Sequence, residues 1–124
     1  MSIPHKKHNP GFEALVDEAK RHIREITAEE CRTLDGLLID TREDHEWEAS
    51  HAAGAKHISR GVLERDIETV VPDKSAKLVL YCGGGFRSAL SAESLQKMGY
   101  TNVWSLAGGW RAWNAAGLPV TKDS

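Results

Sequence analysis

Residues Leu78 to Ser88 read LVLYCGGGFRS: an apolar run stops at Cys82, three glycines follow, and Phe86, Arg87 and Ser88 open a helical pattern. A thiol at that point stands on the carboxyl edge of a strand, where open α/β sheets collect their ligands. The glycines wrap it in backbone without side chains, and successive N–H groups in such a turn can face inward as an anion-binding nest. The following helix aims its positive end at the same spot, and Arg87 adds a charge. Thiols in electropositive surroundings ionise more readily than free ones. Cys82 is therefore read as a nucleophile.

The plainer alternative is a tight strand-to-helix connection whose glycines only relieve backbone strain. Three in succession exceed the needs of a turn, and each costs conformational entropy on folding. A close approach of backbone to a bound group would account for them. A P-loop is excluded, because the glycine-Lys-Ser/Thr order is absent. Four residues separate Cys82 from Arg87. Cysteine phosphatases and related arsenate reductases carry one residue more, usually with His before the Cys, where Tyr81 stands here. A shorter ring suits a small group, such as the outer sulfur of a persulfide, over a tetrahedral phosphate.

The elements that must position this loop alternate along the chain. Apolar residues at Leu15, Val16, Ala19 and Ile23 have a helical period and predict a helix over Phe12 to Arg24. Thr27 and Glu30 form a capping box for a short helix through Leu34. Leu37 to Asp40 predicts a buried strand, Arg42 to Ala49 an acidic helix, Ala55 to Ile58 a strand, and Val62 to Val71 a helical turn or two. Lys77 to Tyr81 is the central strand, Ser88 to Met98 a helix stopped by Gly99, Val103 to Leu106 a strand, and Trp110 to Ala116 a closing helix. Strands separated by helices imply an α/β fold with a mainly parallel sheet covered on both faces. Residues 1–10, polar and carrying Pro4 and Pro10, are expected to form a mobile tail ahead of one domain over 11–124.

Composition bounds the function. A chain of 124 residues, 40% hydrophobic, builds one core and not two. Sixteen basic against eighteen acidic residues, with no basic stripe interleaved with aromatics, exclude nucleic acid as the expected partner. Apolar runs fall far short of the roughly 20 residues that span a bilayer, and the start lacks a signal-type apolar segment. A cytoplasmic protein, monomeric or a weak homodimer, is the expectation. Two cysteines do not make a disulfide framework, and Cys31 reads as a small, semi-buried apolar residue.

Four segments resemble a single-domain rhodanese, a sulfurtransferase: LLIDTRE (Leu37 to Glu43), HAAGAKHI (His51 to Ile58), LVLYCGGGFRS, and SLAGGWRAWNAAGLPV (Ser105 to Val120). They follow the family's order and span nearly everything from Ile26 onward, so the helix over about 11–25 is an extension outside the common core. The resemblance implies a rhodanese-like three-layer fold with a five-stranded, mainly parallel sheet flanked by helices. It also implies a two-step transfer without cofactor or metal. Cys82 would take the sulfane sulfur of thiosulfate or a persulfide donor, and cyanide or a thiol, including one on a sulfur-carrying protein, would remove it.

Under that resemblance the backbone N–H groups of Gly83, Gly84, Gly85, Phe86, Arg87 and Ser88 ring the persulfide. Arg87 closes the loop with positive potential or serves as a structural ion pair. Phe86 is a pocket wall or packs inward. Asp40 and Arg42 match the family's D-x-R and either contact substrate or anchor loops; Arg60 is a weaker candidate for drawing in an anion. Members tuned to thiosulfate often carry a basic side chain inside the loop, and none stands here between Cys82 and Arg87. His45, His51 and His57 fit no zinc spacing, and the last two read as structural hydrogen-bonding groups. Trp104, Trp110 and Trp113 read as core and rim packing. Arsenate reduction or phosphate hydrolysis, and a non-enzymatic persulfide carrier or redox-sensing module, are the alternatives.

Overall fold

Alternating strand and helix resolve into a central parallel sheet in the computed structural model, which describes residues 8–122. Along the chain run α1 (Pro10–Lys20), β1 (Arg24–Ile26), β2 (Leu37–Asp40), α2 (Asp44–Ala49), β3 (His51–Ala52) and β4 (Lys56–His57). They are followed by α3 (Leu63–Val70), β5 (Leu78–Tyr81), α4 (Phe86–Lys97), β6 (Val103–Leu106), α5 (Gly109–Ala115) and β7 (Val120–Thr121). Short 3-10 turns lie at Glu30–Thr33 and Arg60–Val62. Five strands form one sheet in the order β1-β6-β5-β2-β4, with every pairing parallel. The expected α/β fold with a five-stranded parallel sheet is what the chain adopts.

Strand β5 is central and buried along its whole length. Its alternating side chains split between the two faces, as the strand period of two demands. Leu78 and Leu80 join Ile39, Leu63, Ile67 and Leu95 on the face covered by α3 and α4. Val79 and Tyr81 join Leu38, Leu106, Trp113 and Leu118 on the face covered by α5. Each fully buried Leu or Val contributes about 1.5–3 kcal/mol of hydrophobic stabilisation. Two apolar faces leave β5 no freedom to shift register, so the residue after Tyr81 has a fixed address at the sheet's carboxyl edge.

Several boundaries differ from the expectations. The first helix opens at Pro10, where its fixed φ and missing N–H suit a first helical position. It ends at Lys20, and Arg24–Ile26 is the parallel edge strand β1 instead of more helix. Ile23 misled the helical pattern: it packs against the core from the turn between the two elements. Helix α1 buries Val16 and Ala19 and packs on α4. Helix α4 starts at Phe86, two residues before the expected Ser88. The antiparallel pair β3–β7 was not expected; two residues per strand leave no periodic signal. The Thr27–Glu30 capping box is present but caps a 3-10 turn. Most of the expected mobile tail, residues 1–7, lies outside the described residues. Among the described residues no helix is long and apolar enough to cross a membrane.

Candidate active site

The chain leaves β5 at Tyr81 and turns at once around the Cys82 sulfur. Cys82 is 1% exposed, and its Sγ accepts the backbone N–H of Gly85 at 3.2 Å and of Ser88 at 3.3 Å. The turn closes because Gly85 takes φ of 95°, the left-handed region that glycine enters at no steric cost, and caps α4. Below the sulfur, the Cys82 thiol donates to Ser88 Oγ at 3.6 Å. Ser88 Oγ in turn shares a 2.8 Å hydrogen bond with Ser105 Oγ of β6. Both serines are fully buried, so this chain fixes the floor of the loop.

The outside of the loop is held by α5. Trp110 N–H donates to the Cys82 carbonyl at 2.7 Å, and Arg111 N–H donates to the Gly83 carbonyl at 3.2 Å. In a trans peptide the N–H points opposite to the C=O. Tying those two carbonyls to α5 therefore turns the N–H groups of Gly83 and Gly84 away from the α5 amides. Among the described residues those two amides have no hydrogen-bond partner. The approach of α5 depends on Gly109, whose φ is 52°. A Cβ there would lie 2.3 Å from the Cys82 carbonyl oxygen and 2.9 Å from Gly85 N.

A cleft of about 570 Å³ opens over the sulfur. Cys82, Gly83, Gly84, Phe86 and Arg87 line it from the loop and α4; Trp110 and Arg111 come from α5, Glu46 from α2, and His8 and Phe12 from the amino-terminal segment. Of the two roles open to Phe86, the structure has the wall. Its ring lies 5.9 Å from Phe12 and 4.5 Å from His8. Arg87 is half-exposed, lines the cleft and makes long ion pairs, 3.9 Å to Glu43 and 3.7 Å to Glu46. Exposed pairs of that length contribute at most about 1 kcal/mol.

Asp40 and Arg42 do not line the cleft. Both are buried, at 0% and 3% exposure, and face each other. Arg42 Nη2 reaches Asp40 Oδ2 at 2.8 Å and the Ser50 carbonyl at 2.7 Å, and the Arg42 backbone N–H donates to Asp40 Oδ1. Tyr81 completes the set, donating to Asp40 Oδ2 at 2.6 Å and accepting from Ala52 N–H at 3.1 Å. Burial, the hydrogen bond to Asp40 and the charge of that carboxylate push the Tyr81 hydroxyl far above the usual phenol range. Burial works against the Arg42 charge, but the bonds and charge of Asp40 outweigh it and hold the guanidinium above its usual pKa. The guanidinium lies 4.5 Å from the Trp110 ring. The D-x-R pair thus sits behind the cleft wall and props Trp110, in the anchoring role.

Sequence reasoning missed several participants. Trp110 packs at the rim as expected but is also cleft wall. Ser105, Glu46, Arg111, His8 and Phe12 were not singled out for the site; the register of β6 brings Ser105 there, α2 brings Glu46, α5 brings Arg111, and the docking of α1 on α4 brings Phe12 with His8 just ahead of it. Arg60 stands apart, its N–H bonded to the Thr41 carbonyl. His51 donates from Nδ1 to the Trp47 carbonyl and His57 from Nε2 to the Arg42 carbonyl. Both rings stack on Trp47, at 3.3 and 4.9 Å. Cys31 and Cys82 are both free thiols.

The architecture and the loop are those of one family. The sequence model of the rhodanese-like domain matches residues 15–116, and the chain belongs to that family. It is 34% identical over 96 residues to the uncharacterized protein YqhL of Bacillus subtilis, covering 76% of this chain and 75% of that one. It is 33% identical over 81 residues to the thiosulfate sulfurtransferase GlpE of Coxiella burnetii, covering 65% and 74%. A solved Rhodopseudomonas palustris protein of unknown function, described as a possible tyrosine phosphatase, superposes with a TM-score of 0.82 at 30% identity. That match covers 97% of this chain and 100% of the other, so α1 is shared with it.

Proposed function

We propose that the protein is a sulfurtransferase that moves a sulfane sulfur from thiosulfate or a persulfide donor to a thiophilic acceptor through a persulfide on Cys82. The observation that carries this reading is the convergence of the Gly85 and Ser88 amides on Sγ, beside the Gly83 and Gly84 amides, which have no hydrogen-bond partner among the described residues. Such donors stabilise a negative sulfur and, after transfer, the terminal sulfur one bond further out.

In the first step the Cys82 thiolate forms a bond to the outer sulfur of the donor. The donor's sulfur–sulfur bond breaks, and sulfite, or the thiolate of a persulfide donor, leaves with the electron pair. In the second step the acceptor, cyanide or a thiol, attacks the terminal sulfur, and Cys82 departs as thiolate into the same ring of amides. Splitting one transfer into two displacements is ordinary covalent catalysis. Ser88 and Ser105 steady the floor, and α5 holds the amides in place.

Steady-state formation of thiocyanate from cyanide, with thiosulfate beside small persulfide donors, tests the reading on wild type and Cys82→Ala. The expected result is turnover in wild type and none in the variant; turnover that survives Cys82→Ala overturns it. Slow turnover with every small donor, joined to fast loading by a cysteine desulfurase, would make the domain a carrier. The possible phosphatase description of the Rhodopseudomonas relative favours a second reading. Hydrolysis of an aryl phosphate, lost on Cys82→Ser, would establish that one, against the short loop and the Tyr81 that stands where such enzymes usually carry His.

A further inference from the structure

We propose that the donor this cleft selects carries a flat apolar body and a single negative charge, an organic persulfide or thiosulfonate, in place of a compact inorganic dianion. The inference rests on the sulfurtransferase reading and names its substrate class. Three observations lead to it.

The cleft, about 570 Å³, is of a size that holds an organic ligand and far exceeds what one small oxyanion fills. Its wall is aromatic. Phe12 and Phe86 stack at 5.9 Å with 25° between their planes, His8 lies edge-on to Phe12 at 5.1 Å, and Trp110 stands in the same cleft. Its charge is mixed. The Arg87 guanidinium is shared with Glu43 and Glu46, Glu46 itself faces the cleft, Arg111 lines it too, and Lys20 Nζ, paired with Glu25, lies 5.3 Å from the Phe86 ring. A dianion meets a carboxylate there, whereas one charge beside an apolar ring matches both the cations and the wall.

Phe12 is the specificity residue of this arrangement. It belongs to α1, outside the loop and the sheet, and reaches the cleft only because Val16 and Ala19 dock α1 on α4. A ring on the donor would lie against Phe12 and Phe86 in the offset or edge-on contacts aromatic pairs prefer. With benzenethiosulfonate the Cys82 thiolate bonds to the outer sulfur, the bond between the donor's two sulfurs breaks, and benzenesulfinate leaves with the electron pair. Cyanide then takes the terminal sulfur as thiocyanate and returns the Cys82 thiolate.

The test compares kcat/KM for benzenethiosulfonate, methanethiosulfonate and thiosulfate, with cyanide as acceptor, in wild type, Phe12→Ala and Phe12→Leu. Phe12 is half-buried on a helix surface, so both variants are expected to fold. In wild type the benzene donor is expected to exceed the methane donor by roughly tenfold. That ratio falls toward one in Phe12→Ala and to an intermediate value in Phe12→Leu, with the change in KM. A ratio that stays put, including a parallel loss with every donor, overturns the inference, as does a preference for thiosulfate in wild type. Calorimetric binding of benzenesulfonate separates the two levels. No thiocyanate from any donor removes the sulfurtransferase reading, while tighter binding to wild type than to Phe12→Ala still reports the wall.

Discussion

Gly109→Ala attacks the cradle without touching the sulfur. An added Cβ would sit 2.3 Å from the Cys82 carbonyl oxygen, 2.9 Å from Gly85 N and 3.0 Å from the Gly83 carbonyl carbon. All three are backbone atoms, which cannot swing aside as a long side chain would. Overpacking of this kind costs about 1–3 kcal/mol, and holding Ala at φ 52° adds about 1–2 kcal/mol, so a loss of about 2–5 kcal/mol is expected. Relief comes only by moving α5 off the loop, which breaks the 2.7 Å Trp110 and 3.2 Å Arg111 hydrogen bonds. The freed peptide planes then turn, and the amides no longer converge on Sγ. Losing one such donor lowers kcat about 10²–10³-fold. Urea unfolding and single-turnover sulfur loading measure the two effects. Gly84→Ala is the stability control, because its Cβ meets nothing within 4 Å, and its stability should stay within about 1 kcal/mol of wild type. Gly109→Ala with wild-type stability and wild-type loading would refute the claim that α5 shapes the cradle.

Other perturbations test neighbouring parts. Tyr81→Phe leaves the buried Asp40 with one donor fewer and Ala52 N–H without its acceptor, a loss of about 1–3 kcal/mol in chemical denaturation. The same pair of proteins reads the titration of Tyr81. Its folded pKa is raised above the unfolded value of about 10, so its contribution is complete below pH 10. Above that, wild-type stability should fall relative to Tyr81→Phe by about 1.4 kcal/mol per pH unit; parallel curves would contradict the assignment. Gly84→Lys places a cation in open space over the cleft and should raise kcat/KM for thiosulfate roughly fivefold, the equivalent of about 1 kcal/mol; no change would sink the reading of the missing basic residue. Burial, then the charge of Glu30, push the Cys31 thiol up. In Cys82→Ser, iodoacetamide at neutral pH should therefore leave the protein unlabelled by intact mass, and rapid labelling would show Cys31 to be accessible.

The parts of the molecule legible in its sequence are those whose local signal and tertiary role agree. LVLY followed by three glycines announces a buried strand and a tight turn into a helix, and both are found at Cys82. What stayed hidden depends on packing between distant segments. β1 is three residues long with Arg24 and Glu25 exposed, and only pairing with β6 makes it a strand. Phe12 looks like any apolar residue of an amphipathic helix until α1 docks beside α4. Ser105 reads as an ordinary strand serine until the register of β6 sets its hydroxyl 2.8 Å from Ser88. Asp40 and Arg42 were legible as a pair, but their position behind Trp110 follows from the pairing of β2 with β5, which sets Asp40 against the Tyr81 hydroxyl, and from the guanidinium lying on the Trp110 ring.

The account stands or falls on a sulfur atom held at Cys82. The protein is exposed to thiosulfate or benzenethiosulfonate, freed of excess donor, and mapped by mass spectrometry. One added sulfur on Cys82 alone, released quantitatively as thiocyanate by cyanide, is the predicted result. An unmodified Cys82, or sulfur carried by Cys31 instead, would contradict it.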